Sequence, residues 1–178
     1  MAAASRLGKQ LEELISTLDE RGVRFALIGG LALSSHNVVR ATSDIDLLVD
    51  QSESGSVDAL LLRLGYHCLH RSADAGNYQR ADQRVDFLYA SRPAARRLLN
   101  AAQSRATTFG ALRVVGVEGL IGFKLQALVN DPRRTQDLED IRALVRANRD
   151  VLDVGELRDY FRLFERESLL EEILGDDA

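Results

Sequence analysis

Residues 25–50 read FALIGGLALSSHNVVRATSDIDLLVD. The stretch predicts a strand, a turn at Gly29-Gly30, a short helix over 31–38, a polar loop over 40–43 and a second strand over 45–49. Asp44 and Asp46 stand at i and i+2 where that second strand begins. A strand has a side-chain period of two, so both carboxylates fall on one face. Two carboxylates so close repel each other unless a cation lies between them. The apolar runs 25–28 and 47–49 predict a rigid sheet core that holds the pair. A glycine turn that opens a helix, next to a metal-binding pair, points to a phosphate ligand.

Before this stretch, Leu7, Leu11, Leu14, Ile15 and Leu18 recur at spacings of three and four, which predicts an amphipathic helix over 5–20, stopped at Gly22. The first strand then covers 23–28 and, being apolar throughout, belongs inside a sheet. After the stretch come a small-residue loop over 50–56, a helix over 57–64 and a strand over 66–70. A turn region over 71–77, a short strand over 78–80 and a strong strand over 84–89, RVDFLY, follow. Pro93 suits the first turn of a helix running to about residue 102, and 106–115 reads as a hairpin around Gly110. From residue 117 the pattern is helical, with helices over 117–130, 135–147, 153–164 and 166–174. A mixed half followed by an all-helical quarter predicts an α/β (α+β) fold with a helical tail. The boundary falls at 115: residues 1–115 as the core, residues 116–178 as a helical segment packed on it.

Composition narrows the classes. The chain has 178 residues, 46% hydrophobic and 28% charged, which suits one compact unit. No apolar run reaches the length of a membrane span, and the amino-terminal residues lack a secretory pattern, so no membrane partner and a cytoplasmic location are expected. A single cysteine, Cys68, excludes an internal disulfide and fits a reducing compartment. A net charge of −4 argues against non-specific nucleic-acid binding by the whole surface.

Gly29-Gly30, thirteen intervening residues and then Asp44-Ile45-Asp46 followed by Leu47 resemble the signature of the nucleotidyltransferase superfamily, whose fold is that of DNA polymerase β. Asp86, flanked by Val85 and Phe87, matches its third carboxylate. The stretch GGLALSSHNVVRATSDIDLLV is similar to toxin-type nucleotidyltransferases of the AbiEii/AbiGii kind. Lys124 in GLIGFKLQAL and Asp137-Leu-Glu-Asp140 match the lysine helix and the D-x-x-D helix of that branch. The resemblance covers roughly residues 20–147. It implies a central mixed sheet flanked by helices, and transfer of a nucleoside monophosphate from an NTP, ATP among them, to an acceptor hydroxyl. The acceptor would be an RNA 3′ end, such as that of a tRNA, a protein side chain or a small molecule; the toxin-type likeness favours RNA or protein and implies an antitoxin protein as partner.

On that footing each residue has an expected part. Asp44, Asp46 and Asp86 would hold Mg²⁺ or Mn²⁺ as hard oxygen donors, Asp86 also acting as base. Gly29 and Gly30 would bring backbone N–H groups to the phosphates. Lys124 would neutralise triphosphate charge, and Asp137 or Asp140 would position it or the second substrate. Many members carry serine where this chain has Gly30, so Ser34 or Ser35 stands in or the contact is main-chain only. Arg40 and Thr42 are candidates for phosphate or acceptor contacts. Asp50 reads as a turn residue and His36 as a packing or surface residue. Strand parity sets His67 opposite to Cys68 and His70, short of a zinc set. The alternative reading is a catalytically weak member that binds a nucleotide or a partner. The intact set of three repelling carboxylates speaks against it.

Overall fold

The computed structural model describes residues 5–175. These divide into two compact units: the chain up to Leu31 together with Ala41–Val115, and Ala32–Arg40 together with the chain from Gly116 onward.

The first unit opens with α1 (Arg6–Glu20), capped by Ser5, whose Oγ accepts the Gly8 N–H at 3.0 Å. Its apolar stripe buries Leu11, Leu14 and Leu18. The strands are β1 (Phe25–Ile28), β2 (Ile45–Asp50), β3 (His67–Arg71), β4 (Ala75–Arg80), β5 (Gln83–Ala90), β6 (Gln103–Thr107) and β7 (Gly110–Val114). They form one mixed sheet in the order β3-β4-β5-β2-β1-β7-β6. β2 runs parallel to β5 and antiparallel to β1, which is parallel to β7. All four residues of β1 are buried, as its unbroken apolar run requires of an interior strand. α2 (Gly29–Ala32) follows β1, α3 (Ser54–Arg63) leads into β3, and α4 (Pro93–Ala101) lies between β5 and β6.

The two faces of the sheet differ. One carries Tyr78, Val85 and Phe87 and is packed by α1 and α3: the Tyr78 hydroxyl donates to Asp58 Oδ1 at 2.8 Å, and Arg80 pairs with Glu13. Burial drives the Tyr78 hydroxyl pKa far up, and its bonds to Tyr89 and Asp58 push the same way. The other face carries Asp46, Asp86 and Asn77, one after another in register across β2, β5 and β4.

Four local expectations need correction. The helix over 31–38 is one α turn, α2, followed by a 3-10 turn at Leu33–His36. Asn37 ends it in the left-handed region, φ 63°. The strand over 78–80 begins at Ala75, so the turn before it is shorter. The loop over 50–56 holds a 3-10 turn, Gln51–Glu53, and the first turns of α3. Finally, β3 contains a bulge. His67 pairs with Gln79, Cys68 with Tyr78, and then His70 with Asn77, leaving Leu69 as the extra residue. Simple alternation therefore fails, and His67 and His70 share a face.

The second unit is helical: α5 (Val117–Asn130), α6 (Thr135–Asn148), α7 (Val154–Leu163) and α8 (Glu167–Gly175), with Ala32–Arg40 against α6. Leu120, Ile121, Leu125, Ile141, Leu144, Leu157 and Phe161 form its core. Asn148 fastens the short segment, donating from Nδ2 to the His36 carbonyl at 2.9 Å and accepting from Asn37 Nδ2 at 3.3 Å. His36 is buried here. No helix among the described residues is long and apolar enough to cross a membrane.

Candidate active site

In the first unit, Asp46 of β2 and Asp86 of β5 are direct partners in a parallel ladder. Such neighbours stand about 4.8 Å apart and point the same way. Asp44, just before β2, keeps the parity of Asp46, and its Oδ1 accepts the Ser43 hydroxyl at 3.0 Å. All three carboxyl residues are half-buried. Asn77, opposite Asp86 on β4, donates from Nδ2 to Asp86 Oδ1 at 2.8 Å and so fixes the rotation of that carboxylate.

Gly29 is fixed by two separate constraints. Its φ is 66°, a conformation that side-chain-bearing residues adopt at a cost. A Cβ there would also overlap the Asp46 carboxylate and lie 2.7 Å from Asp46 Cβ. The chain thus turns out of β1 directly against the acid on β2, which Ile28↔Asp46 pairing already brings alongside. Gly30 is buried within α2, and Thr42 is half-buried ahead of β2. Asp50 caps the 3-10 turn, accepting from Ser52 N at 3.0 Å and Ser52 Oγ at 2.8 Å. These bonds hold its carboxyl below the usual range.

The second unit holds the remaining candidates. Lys124 on α5 is only 5% exposed. Its Nζ donates to Asp137 Oδ1 at 3.0 Å and Asp140 Oδ2 at 2.6 Å, both on α6. Arg40 forks onto the same Asp140, Nε to Oδ1 at 2.9 Å and Nη2 to Oδ2 at 3.0 Å. Gln136 adds a bond to Asp140 at 3.1 Å, and Arg134 binds Asp137 at 2.5 Å. Burial pushes the Asp140 carboxyl up, but the bonds from Lys124, Arg40 and Gln136 outweigh it and hold its pKa below the ordinary value. Lys124, Arg40 and Arg134 all converge on these two carboxylates. Ser35 Oγ donates to the Ala32 carbonyl at 2.8 Å and is spent on the backbone, while Ser34 is half-buried in the same turn.

The first-unit carboxylates suit a hard divalent ion in donor type, and Asp46 stands beside Asp86. Among the described residues no group of three or more His, Cys, Asp or Glu is placed to hold a metal ion. An open carboxylate pair is still the arrangement Mg²⁺ favours, because it takes few protein ligands and leaves the rest to water and phosphate.

Asn77, Gln136 and Asn148 escaped the sequence reading. Each is a lone amide whose partners lie on another strand, one helical turn away or, for Asn148, on the distant segment at His36 and Asn37, and no motif marks it. Asn77 falls in the turn region expected over 71–77, ahead of the strand over 84–89.

A family model described as "uncharacterised nucleotidyltransferase" matches residues 1–109. No curated protein matches the chain. Among solved structures, the antibiotic-resistance factor ANT(2'')-Ia is similar in fold, with TM-score 0.71 and 17% identity over 96% of this chain and 97% of that chain. The lincosamide antibiotic adenylyltransferase LnuA, lincomycin-bound, gives TM-score 0.57 and 15% identity over 76% and 94%. An antigenic nucleotidyltransferase-like protein from Paracoccidioides brasiliensis gives 0.57 and 16% over 94% and 91%. At these identities the likeness is one of fold.

Proposed function

The chain belongs to this family of uncharacterised nucleotidyltransferases, and on that premise we propose that it transfers a nucleoside monophosphate from an NTP to an acceptor hydroxyl. The observation that carries the proposal is the in-register pair Asp46 and Asp86 on one face, pressed against Gly29. In the reaction the acceptor oxygen forms a bond to the α-phosphorus. The bond from that phosphorus to the bridging oxygen breaks, and pyrophosphate leaves. Asp86 takes the hydroxyl proton, and the amide of Asn77 keeps its carboxylate aimed. Asp44 and Asp46 would face the triphosphate through the ion they hold, and Gly29 and Gly30 give main-chain N–H groups room to approach it. Mg²⁺ or Mn²⁺ held by Asp44, Asp46 and Asp86 would supply neutralisation of charge on the phosphoryl oxygens.

In the second unit, Asp137 and Asp140 position Lys124, and Arg40 braces Asp140. An RNA or protein acceptor and a toxin role with an antitoxin partner extend the proposal, supported by the resemblance of residues 29–49 to the toxin-type branch; a cytoplasmic setting extends it as well, supported by the single cysteine.

The test is transfer. The protein is incubated with each α-labelled NTP, Mg²⁺ and total RNA or lysate, alongside Asp46→Asn and Asp86→Asn. Label should pass to a macromolecule with the unaltered chain and fall by about 100-fold or more in either variant. Label released only as free nucleoside monophosphate would mean hydrolysis and sink the proposal.

A further inference from the structure

The face that carries Asp86 continues to the free edge of the sheet. Asn77 is in register with Asp86, and the bulge at Leu69 sets His70 in register with Asn77. One step along, Arg84 pairs with Gln79, and Gln79 with His67. Directly opposed residues in a ladder point to the same side. His70, His67 and Arg84 therefore share the face of Asp86, while Cys68 and Arg71 point to the other. The Arg71–Asp58 ion pair at 3.0 Å agrees, since Asp58 also holds Tyr78 on that other face. Were Leu69 paired in regular alternation, His70 would share the face of Cys68 and turn away from Asp86. Bulges recur beside active sites because they re-aim a side chain in this way.

The outer three strands thus present a polar strip beside the acid. Arg84, His67 and His70 are exposed, and none of them has an ion pair among the described residues. In HCLHR, AGNYQR and QRVDFLYA, Asp86 is the only carboxylate. A cationic acceptor would find one negative charge there. A phosphate-bearing acceptor would find a guanidinium, two imidazoles and the Asn77 amide. Arg84 lies about 6.6 Å along β5 from Asp86, and His70 about 10 Å away across two strand spacings.

We propose that this strip, Arg84 with His67, His70 and Asn77, seats the 3′-terminal stretch of a single-stranded RNA acceptor. Its terminal hydroxyl would lie at Asp86 and its last phosphodiesters on Arg84 and the imidazoles. RNA is the occupant because imidazoles and the amide both donate and accept, as a 2′-hydroxyl requires, and because the cationic group suits a phosphodiester. The inference rests on the transferase reading and names the acceptor for the same site.

Binding of a fluorescently labelled single-stranded RNA with a free 3′ hydroxyl tests it by anisotropy. The proteins compared are the unaltered chain, Arg84→Ala and the His67→Ala/His70→Ala double variant. All changed side chains are exposed, and matched thermal melts check folding. Each variant should weaken RNA binding about tenfold. Arg84→Ala should also flatten the slope of log affinity against log salt by about 0.7, the signature of one lost phosphate contact to a single strand. Binding of a fluorescent ATP analogue should stay unchanged. RNA affinity and salt slope equal to those of the unaltered chain overturn the inference, as does loss of ATP-analogue binding in step with RNA binding. Equal affinity for a DNA strand of the same sequence overturns the choice of RNA. Transfer of label by the unaltered chain with RNA binding insensitive to these variants refutes the strip alone. Strip-dependent RNA binding without transfer to any acceptor refutes the transferase reading alone.

Discussion

Gly29 shows how far one position constrains the site. Its backbone is left-handed, and its missing side chain is what lets the Asp46 carboxylate lie where it does. Gly22 is a natural control, since it has nearly the same φ, 67°, with open space around it. Gly22→Ala should therefore cost only the left-handed penalty, about 1–2 kcal/mol. Gly29→Ala should cost more, because Asp46 must also shift, and it should abolish transfer activity. Urea denaturation of the two variants, with the label-transfer assay, reads the difference. Equal stability losses and retained activity in Gly29→Ala would mean that the contact does not matter. Gly29, Asp44, Asp46 and Asp86 were legible in the sequence because spacing and parity are local properties. The contact between Gly29 and Asp46 was not, since it needs β1 and β2 to pair in one particular register.

At the level of strands, register does the work. β2 and β5 are far apart in sequence but adjacent in the sheet, so Asp46 and Asp86 become neighbours only through pairing. The strand holding Asn77 was read as mostly turn, because AGNYQR lacks the apolar alternation of a half-buried strand: one of its faces is polar and open. For the same reason Asn77 was missed. Asn77→Ala leaves Asp86 in place but frees its rotation. The expected result is a fall of about tenfold in kcat with the KM for NTP near its original value, measured by steady-state pyrophosphate release. A rise in KM alone would assign Asn77 to nucleotide binding. The helices fared better, with α1, α5, α6, α7 and α8 near their expected bounds, because a 3.6-residue period over ten or more residues is hard to mistake. The exception was 31–38, where Asn37 in the left-handed region cuts a short helix after two tight turns.

Over the whole chain, the buried charges of the second unit should govern how the protein responds to acid. The Asp140 carboxyl has a pKa below its unfolded value of about 3.9. A group with a depressed folded pKa stabilises above its unfolded pKa, and that stability is lost as pH falls through the folded value. Thermal melts should therefore drop steeply below about pH 4, and Asp140→Asn should flatten the curve in that window. Lys124→Met removes the buried cation between two buried carboxylates and should cost about 3–5 kcal/mol in urea denaturation. A loss under about 1 kcal/mol would mean that water replaces the ammonium. Lys124, Asp137 and Asp140 were foreseen as a group, while the Arg40 fork that completes it joins residues a hundred positions apart and left no trace in the sequence.

The chain leaves its first unit at Leu31 and returns at Ala41, giving nine residues, 32–40, to the helices that follow Gly116. A fragment ending at Val115 would therefore carry Leu33 and His36, both buried in the intact protein, without the α6 residues that hold them. The helical end is consequently not a cassette that recombination can exchange by a single crossover. A foreign tail would have to match an inner segment separated from it along the chain by β2 to β7. Any exchange of that end between relatives would need two cuts, and the short inner segment would have to be inherited with it.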